Sequence, residues 1–265
     1  MIKEDLHIAL VQMDVYWHDP VANRAHVEEI LSSLAAKTDL IILPEMFTTG
    51  FTMTPEKVAE PMELHTTKWM RQMASRLQSV ITGSVVINDQ GNYYNRLIWV
   101  YPDGALGYYD KRHLFRMAKE EEHYAAGQEL KTFAVKGWNI LPQVCYDLRF
   151  PVWSRNVLQE RKLLYDFAFY VASWPAKRVQ AWDKLLPARA IENHAYVAGV
   201  NRIGVDGLEV DYNGHSAVYD CKGDRLTALS EVAGIIEVTL SAKALNHYRE
   251  KFPAWMDGDS FRLET

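Results

Sequence analysis

Three short stretches contain the side chains best able to do chemistry in this chain: QVCYDLRFP at 143–151, LIILPEMF at 40–47 and YYDKRHLF at 108–115. In the first, Cys145 closes an apolar, strand-like run and stands just before an expected helix start. There, backbone N–H groups favour an anion and so activate a thiol as a nucleophile. Against this, a lone cysteine in a reduced chain is more often inert core packing. In the second stretch, Pro44 stops a buried strand and Glu45 follows, which sets a carboxylate at the rim of a sheet. In the third, Lys111 lies between aromatic and apolar neighbours. Taken singly, such an acid is commonly a capping group and such a lysine an exposed strand-end charge. The 9 histidines form no protease-like pattern with Cys145, so a Cys/His/Asn arrangement has no support in the sequence.

Alternating apolar runs and amphipathic stretches supply the elements that must position these residues. His7 to Val15 reads as a buried strand, Pro20 to Lys37 as a helix and Leu40 to Leu43 as a second strand. A helix over Thr66 to Gln78 precedes a hairpin formed by Val80 to Asn88 and Tyr94 to Tyr101, turned at Asp89-Gln90-Gly91-Asn92. Strands follow at Lys131 to Val135 and Ile140 to Cys145, then a helix over Val152 to Glu160 and a strand over Asp166 to Ala172. The helix expected near Val179 to Glu192 contains Pro187, which predicts a kink or a break. Later strands fall at Tyr196 to Asn201, Ser216 to Tyr219 and Ile235 to Thr239. No linker or repeat divides the chain, so one α/β domain over residues 1–265 is expected. The tail from Lys251 holds Phe252, Trp255, Met256 and Phe261, an aromatic content that predicts packing against the body or a partner subunit.

Composition narrows the function classes. Of the 265 residues, 48% are hydrophobic and 24% charged, enough to bury a large core. A net charge of −5 with dispersed Lys and Arg gives no basic surface for nucleic acid. No run of about 18 apolar residues offers a membrane span, and the opening MIKEDLHIALVQMD lacks an apolar stretch of signal-peptide length. A cytoplasmic protein with reduced Cys145 and Cys221 is therefore expected, and no Cys/His cluster suggests a metal.

Taken together, LPE (Glu45), DKRHLF (Lys111) and CYDLRF (Cys145) resemble the catalytic segments of the nitrilase, or carbon-nitrogen hydrolase, superfamily, in that family's order. The spacings are 66 residues from Glu45 to Lys111 and 34 from Lys111 to Cys145. The likeness extends to IALVQMD, ARAIENHAYVAGVNR and HSAVYD, so it runs nearly end to end. It implies a four-layer αββα sandwich with mixed sheets, usually assembled as a homodimer or larger. It also implies a second Glu seven residues before a Gly, a count that lands on Glu120 from Gly127, with Glu121 and Glu122 adjacent.

The resemblance implies roles as well. Cys145 is the nucleophile that attacks an amide carbonyl, Glu45 the general base, and Lys111 the charge that lowers the thiol pKa. Lys111 and the backbone N–H of Tyr146 form the oxyanion site, with Glu120 in support and no metal or organic cofactor. HLFRMAKEEEHYAAG, CYDLRFPVWSRN and ASWPAKR are most similar to the ω-amidase branch, which hydrolyses 2-oxoglutaramate and 2-oxosuccinamate. Aliphatic amides, N-carbamoyl compounds and nitriles share the same three residues, and a non-catalytic binding protein of the same fold is the contrasting class. Expected pocket walls are Phe47, Phe115, Tyr146, Phe150 and Trp174. Arg149 and Arg178 are the candidates for a substrate carboxylate, and Arg149 has a competing ion pair with Asp147.

Overall fold

In the computed structural model, which describes residues 2–159 and 162–263, the chain alternates strand and helix as its apolar periodicity requires. Leu6–Gln12 (β1), the helix Pro20–Leu31 (α1), Leu40–Ile42 (β2), the two-residue Glu60–Pro61 (β3) and the helix His65–Leu77 (α2) come first. The strands Val80–Asp89 (β4), Asn92–Val100 (β5) and Leu106–Asp110 (β6) complete the first half, and Phe133–Val135 (β7) and Trp138–Val144 (β8) begin the second. Leu158–Gln159 (β9) and Lys162–Leu163 (β10) pair antiparallel. Phe167–Ala172 (β11), the helix Val179–Asn193 (α3), Tyr196–Asn201 (β12), Ile203–Val205 (β13), Asp211–Asn213 (β14), Ala217–Tyr219 (β15), Gly234–Leu240 (β16) and the helix Ala242–Lys251 (α4) follow.

Two mixed sheets result. One runs β16-β1-β2-β4-β5-β6 with β3 beside β4, and the other runs β15-β12-β11-β8-β7. In each, three parallel strands form the middle (β1, β2 and β4; β8, β11 and β12) and antiparallel strands close the edges. Side chains alternate faces along a strand, and that alternation builds the layers. From β1, Leu6, Ile8 and Leu10 enter a core shared with Phe167, Phe169 and Val171 of β11. The intervening Ala9 and Val11 face Val27, Trp69 and Met70 of α1 and α2. Ala168, Tyr170 and Ala172 of β11 face Trp182, Leu186 and Ala190 of α3. Sheet thus packs on sheet, with helices on both outer faces, in the expected αββα sandwich. At the β4–β5 hairpin, Gln90 and Gly91 take φ of 52° and 85°, the paired left-handed conformation that a two-residue hairpin turn requires.

Some elements differ from the sequence reading. Helix α1 stops at Leu31 rather than Lys37, where Ser32 and Ser33 turn their hydroxyls back onto the carbonyls of Glu29 and Ile30. No helix spans Val152 to Gln159, and Glu160 lies outside the described residues. Instead Asn156 pins an extended segment, its Nδ2 donating to the Tyr165 and Asn193 carbonyls at 2.9 and 3.0 Å. These long-range bonds replace the local ladder a helix would need. Helix α3 continues through Pro187 to Asn193, because its Trp182, Leu186 and Ala190 are buried against the sheet. The sequence reading missed α4, whose apolar face is only Ala242 and Leu245. In the tail, Phe252 stacks on His194 and Trp255 donates to the Arg249 carbonyl, while Phe261 is exposed and Glu264 and Thr265 lie outside the described residues.

Candidate active site

Strand β2 ends at Ile42, and the chain turns at Glu45 just past Pro44. Met46, with φ of 43°, donates its N–H to the Ser84 hydroxyl of β4 and fixes that turn. Glu45 is fully buried. Its Oε1 accepts from Asn95 Nδ2 at 2.7 Å and from Lys111 Nζ at 3.0 Å, and its Oε2 accepts from the Ser173 N–H at 2.7 Å. Every donor comes from a different segment, so the carboxylate is oriented by the tertiary fold.

Lys111 follows β6 and is likewise buried. Its backbone N–H donates to the Asn95 carbonyl and its carbonyl accepts from the Gly127 N–H. Its Nζ lies 3.0 and 2.9 Å from the two oxygens of Glu120, in addition to Glu45. A side chain at Gly127 would meet the Asp110 carbonyl at 2.1 Å, so only glycine allows the loop this close. Of the three adjacent acids, Glu120 is buried and also accepts from the Phe115 N–H at 2.6 Å. Glu121 and Glu122 face outward and pair with Arg116 and Lys119.

Burial alone pulls the Lys111 pKa down, but Glu120 and Glu45 outweigh it and hold the ammonium protonated well above the ordinary lysine range. Burial also raises the Glu120 pKa, against the pull of Lys111.

Cys145 directly follows the end of β8 at Val144 and starts a short 3-10 turn, Cys145–Arg149, with φ of 45°. A left-handed, non-glycine residue costs on the order of 1–3 kcal/mol and persists only where the surroundings enforce it. Here the Asp147 side chain holds the preceding Val144 N–H at 3.1 Å, and Arg189 of α3 holds the Leu148 carbonyl at 2.6 Å. The expected α-helix start after the cysteine is therefore this tight turn. The sequence reading also expected Lys111 to lower the thiol pKa. In the folded site, burial and then Glu45 raise it well above the usual cysteine range, and Lys111 only partly opposes them. The resting side chain is therefore a protonated thiol, and after burial the Glu45 carboxylate is what most opposes its ionisation.

Cys145, Lys111 and Ser173 line the floor of a cavity of about 230 Å³, a volume suited to a small molecule. Phe115, Tyr146, Trp174, Arg149 and Arg178 line it as the sequence suggested. Phe47 does not, since it is fully buried against Trp69 in the core under α2. Phe150 stacks on His113 at 3.8 Å and supports Tyr146 from behind instead of forming a wall. Sequence reasoning missed Phe51 and Met53, together with Asp206, Leu208, Val210 and Tyr212 on and around the β13–β14 hairpin. No local pattern could place a hairpin some 60 residues beyond Cys145 at the same mouth. Arg149 makes no ion pair with Asp147. Its guanidinium lies 4.9 Å over the Trp174 ring, and that of Arg178 lies 5.3 Å over Phe115. Among the described residues, neither of these, nor Lys177 beside them, forms an ion pair, whereas Lys111 at the floor forms two.

Residues 7–250 match the model of the carbon-nitrogen hydrolase family. The chain is 48% identical over 259 residues to the omega-amidase YafV of Yersinia enterocolitica, covering 97% of this chain and 98% of that protein. It is 28% identical over 253 residues to the 2-oxoglutaramate amidase of Bacillus subtilis, covering 94% and 96%. Its fold superposes with a TM-score of 0.96 and 49% identity on a CN-hydrolase superfamily protein of Xanthomonas campestris that carries an arsenic adduct in its active site. That match covers 99% of this chain and 100% of the other.

Proposed function

Because the chain belongs to the carbon-nitrogen hydrolase family and so hydrolyses carbon–nitrogen bonds other than peptide bonds, we propose that it is an ω-amidase. Its substrates are small 2-oxo dicarboxylic acid monoamides such as 2-oxoglutaramate and 2-oxosuccinamate, released as the diacid and ammonia. The observation that carries this reading is one cavity with a buried Glu45–Lys111–Glu120 chain beside Cys145 at its floor and, at its mouth, cations that pair with no acid among the described residues. Likeness to an omega-amidase over nearly the whole chain supports the same substrate class.

In the proposed mechanism the Cys145 sulfur attacks the amide carbonyl while its proton passes to Glu45, so charge never builds on the sulfur against a high pKa. The carbonyl oxygen becomes an oxyanion held by Lys111 Nζ and the Tyr146 N–H, each donor worth roughly 3 kcal/mol to the transition state. Glu45 returns the proton to the leaving nitrogen, the C–N bond breaks, and ammonia departs from a thioester. A water deprotonated by Glu45 then displaces the thiolate, which recovers a proton from Glu45, and the acid is released. Glu120 fixes Lys111 and keeps it charged, and the cycle needs no cofactor. Arg149 and Arg178 receive the substrate carboxylate across the aromatic walls, where a short, flat 2-oxo acid fits.

Measuring ammonia release from 2-oxosuccinamate, 2-oxoglutaramate, propionamide, an N-carbamoyl compound and a nitrile tests the substrate. Turnover led by the charged oxo-amides supports the reading, and equal kcat/KM for charged and neutral amides overturns it. We also place the enzyme in the cytoplasm, since Cys145 and Cys221 are both free thiols suited to a reducing compartment. We further assign it a homodimer, to cover apolar side chains such as Phe252, Met256 and Ile191 that stay half exposed or more. A monomer in sedimentation at micromolar concentration would rule that out.

A further inference from the structure

Asp147 stands two residues after Cys145 and has no exposed surface. It lines no part of the cavity, and no lysine or arginine pairs with it among the described residues. Donors saturate its carboxylate instead. Oδ2 accepts from the Val144 N–H at 3.1 Å and the Tyr109 hydroxyl at 2.8 Å, and Oδ1 accepts from the His113 N–H at 2.9 Å and from His113 Nδ1 at 2.7 Å. A carboxylate can only accept, so His113 Nδ1 carries the hydrogen in this contact. The outer partners are fixed in turn: Trp153 Nε1 donates to the Tyr109 oxygen at 3.0 Å, and His113 stacks on Phe150.

The placement of these partners is what matters. Tyr109 and His113 stand two residues before and two after Lys111. Val144 and Asp147 stand one residue before and two after Cys145. One buried carboxylate therefore clasps the chain on both sides of the lysine to the chain on both sides of the cysteine.

We propose that Asp147 is a positioning residue, which sets Cys145 in its left-handed turn at a fixed distance and angle from Lys111. The inference rests on the roles proposed above for Cys145 and Lys111. Asp147 touches neither substrate nor the reacting atoms. It acts by removing the freedom of two loops that no shared strand ladder joins. An asparagine cannot replace it, because its amide nitrogen would turn a donor toward the backbone N–H of either Val144 or His113, which can only donate, so at least one contact of the clasp must break.

The test compares Asp147→Asn and Tyr109→Phe with the wild type in kcat and KM, counted per site that iodoacetamide labels at Cys145, alongside thermal melting. Displacements near 1 Å can cost about 100-fold in rate. A loss of that order in kcat per site is expected for Asp147→Asn, with KM little changed because no cavity-lining group is altered. Tyr109→Phe removes one donor of the set, keeps the ring, and is expected to lose about 10-fold. If Asp147→Asn does not fold, Tyr109→Phe and His113→Phe, each lacking one donor, decide the matter. Wild-type kcat per labelled site in the variants that fold, whatever their melting temperature, overturns the proposal. The underlying reading fails separately: if complete labelling of wild-type Cys145 leaves ammonia release intact, the cysteine is not the nucleophile.

Discussion

The floor and the mouth of the cavity hold their charges in opposite ways. At the floor, Glu45, Lys111 and Glu120 are fully buried, and each charged group meets at least two partners, drawn from β5, the start of the loop after β11, and the loops after β2 and β6. At the mouth, Arg149 and Arg178 lie over aromatic rings with no carboxylate attached among the described residues, flanked by the exposed Met117 and Leu208. A charge buried among fixed partners cannot adapt, so its geometry sets the reaction and leaves the rest of the substrate unread. A cation resting on an aromatic face keeps its hydrogen-bonding edge available and discriminates by what it meets. The contrast predicts that floor substitutions abolish turnover of every substrate alike, whereas mouth substitutions change which substrate is preferred.

The largest effect is expected from Cys145→Ala, a loss of at least about 10⁴-fold in kcat for charged and neutral amides alike. Far-UV circular dichroism should be unchanged, and appreciable ammonia release by this variant would break the floor's side of the comparison. Lys111→Met should cost about 10³-fold through the lost oxyanion donor. It should also lower the melting temperature, since it leaves Glu45 and Glu120 buried without their cation. Retained activity on any one amide would show that the floor does not act uniformly. At the mouth, Arg178→Ala should lower kcat/KM for 2-oxosuccinamate by about 10-fold, the scale of a charge-assisted hydrogen bond, and leave propionamide within about twofold. Equal losses on both would erase the distinction between mouth and floor.

The smallest effect concerns pH. The folded site raises the thiol pKa of Cys145 above its ordinary value of 9.0, mainly through burial and then through Glu45. A raised pKa means that the folded state binds the proton more tightly. Its stabilising contribution is therefore complete below pH 9 and is lost as pH climbs above it. Between pH 7 and pH 10, wild-type protein should lose more melting temperature than Cys145→Ser. Iodoacetamide labelling of Cys145 should keep accelerating beyond pH 9 with no plateau near neutrality. A neutral plateau would mean that Lys111 outweighs burial at this site.

Much of this protein is written locally in its sequence. The runs HIALVQ and FAFYVA, apolar on both faces, mark buried strands from short stretches alone, and the family resemblance implied the layered sandwich that buries them between a second sheet and a helix layer. The glycine at 91 marks the hairpin turn. The segments LPE, DKRHLF and CYDLRF are equally legible, because each is a strand end delivering one reactive group. The family count from Gly127 reaches Glu120 but leaves Glu121 and Glu122 open beside it, and burial against Lys111 is what selects Glu120.

Only the tertiary structure decided the rest. Asn156 cancels a helix through bonds to residues in distant segments, and Phe47, aromatic and close to Glu45, turns into the core and away from the cavity. The β13–β14 hairpin brings Asp206 and Tyr212 to the mouth from far along the chain. The direction of the Cys145 pKa was beyond the sequence for the same reason. Residue types name the charges near a thiol, but desolvation depends on how much water the whole fold removes, and at this site burial and Glu45 prevail over Lys111.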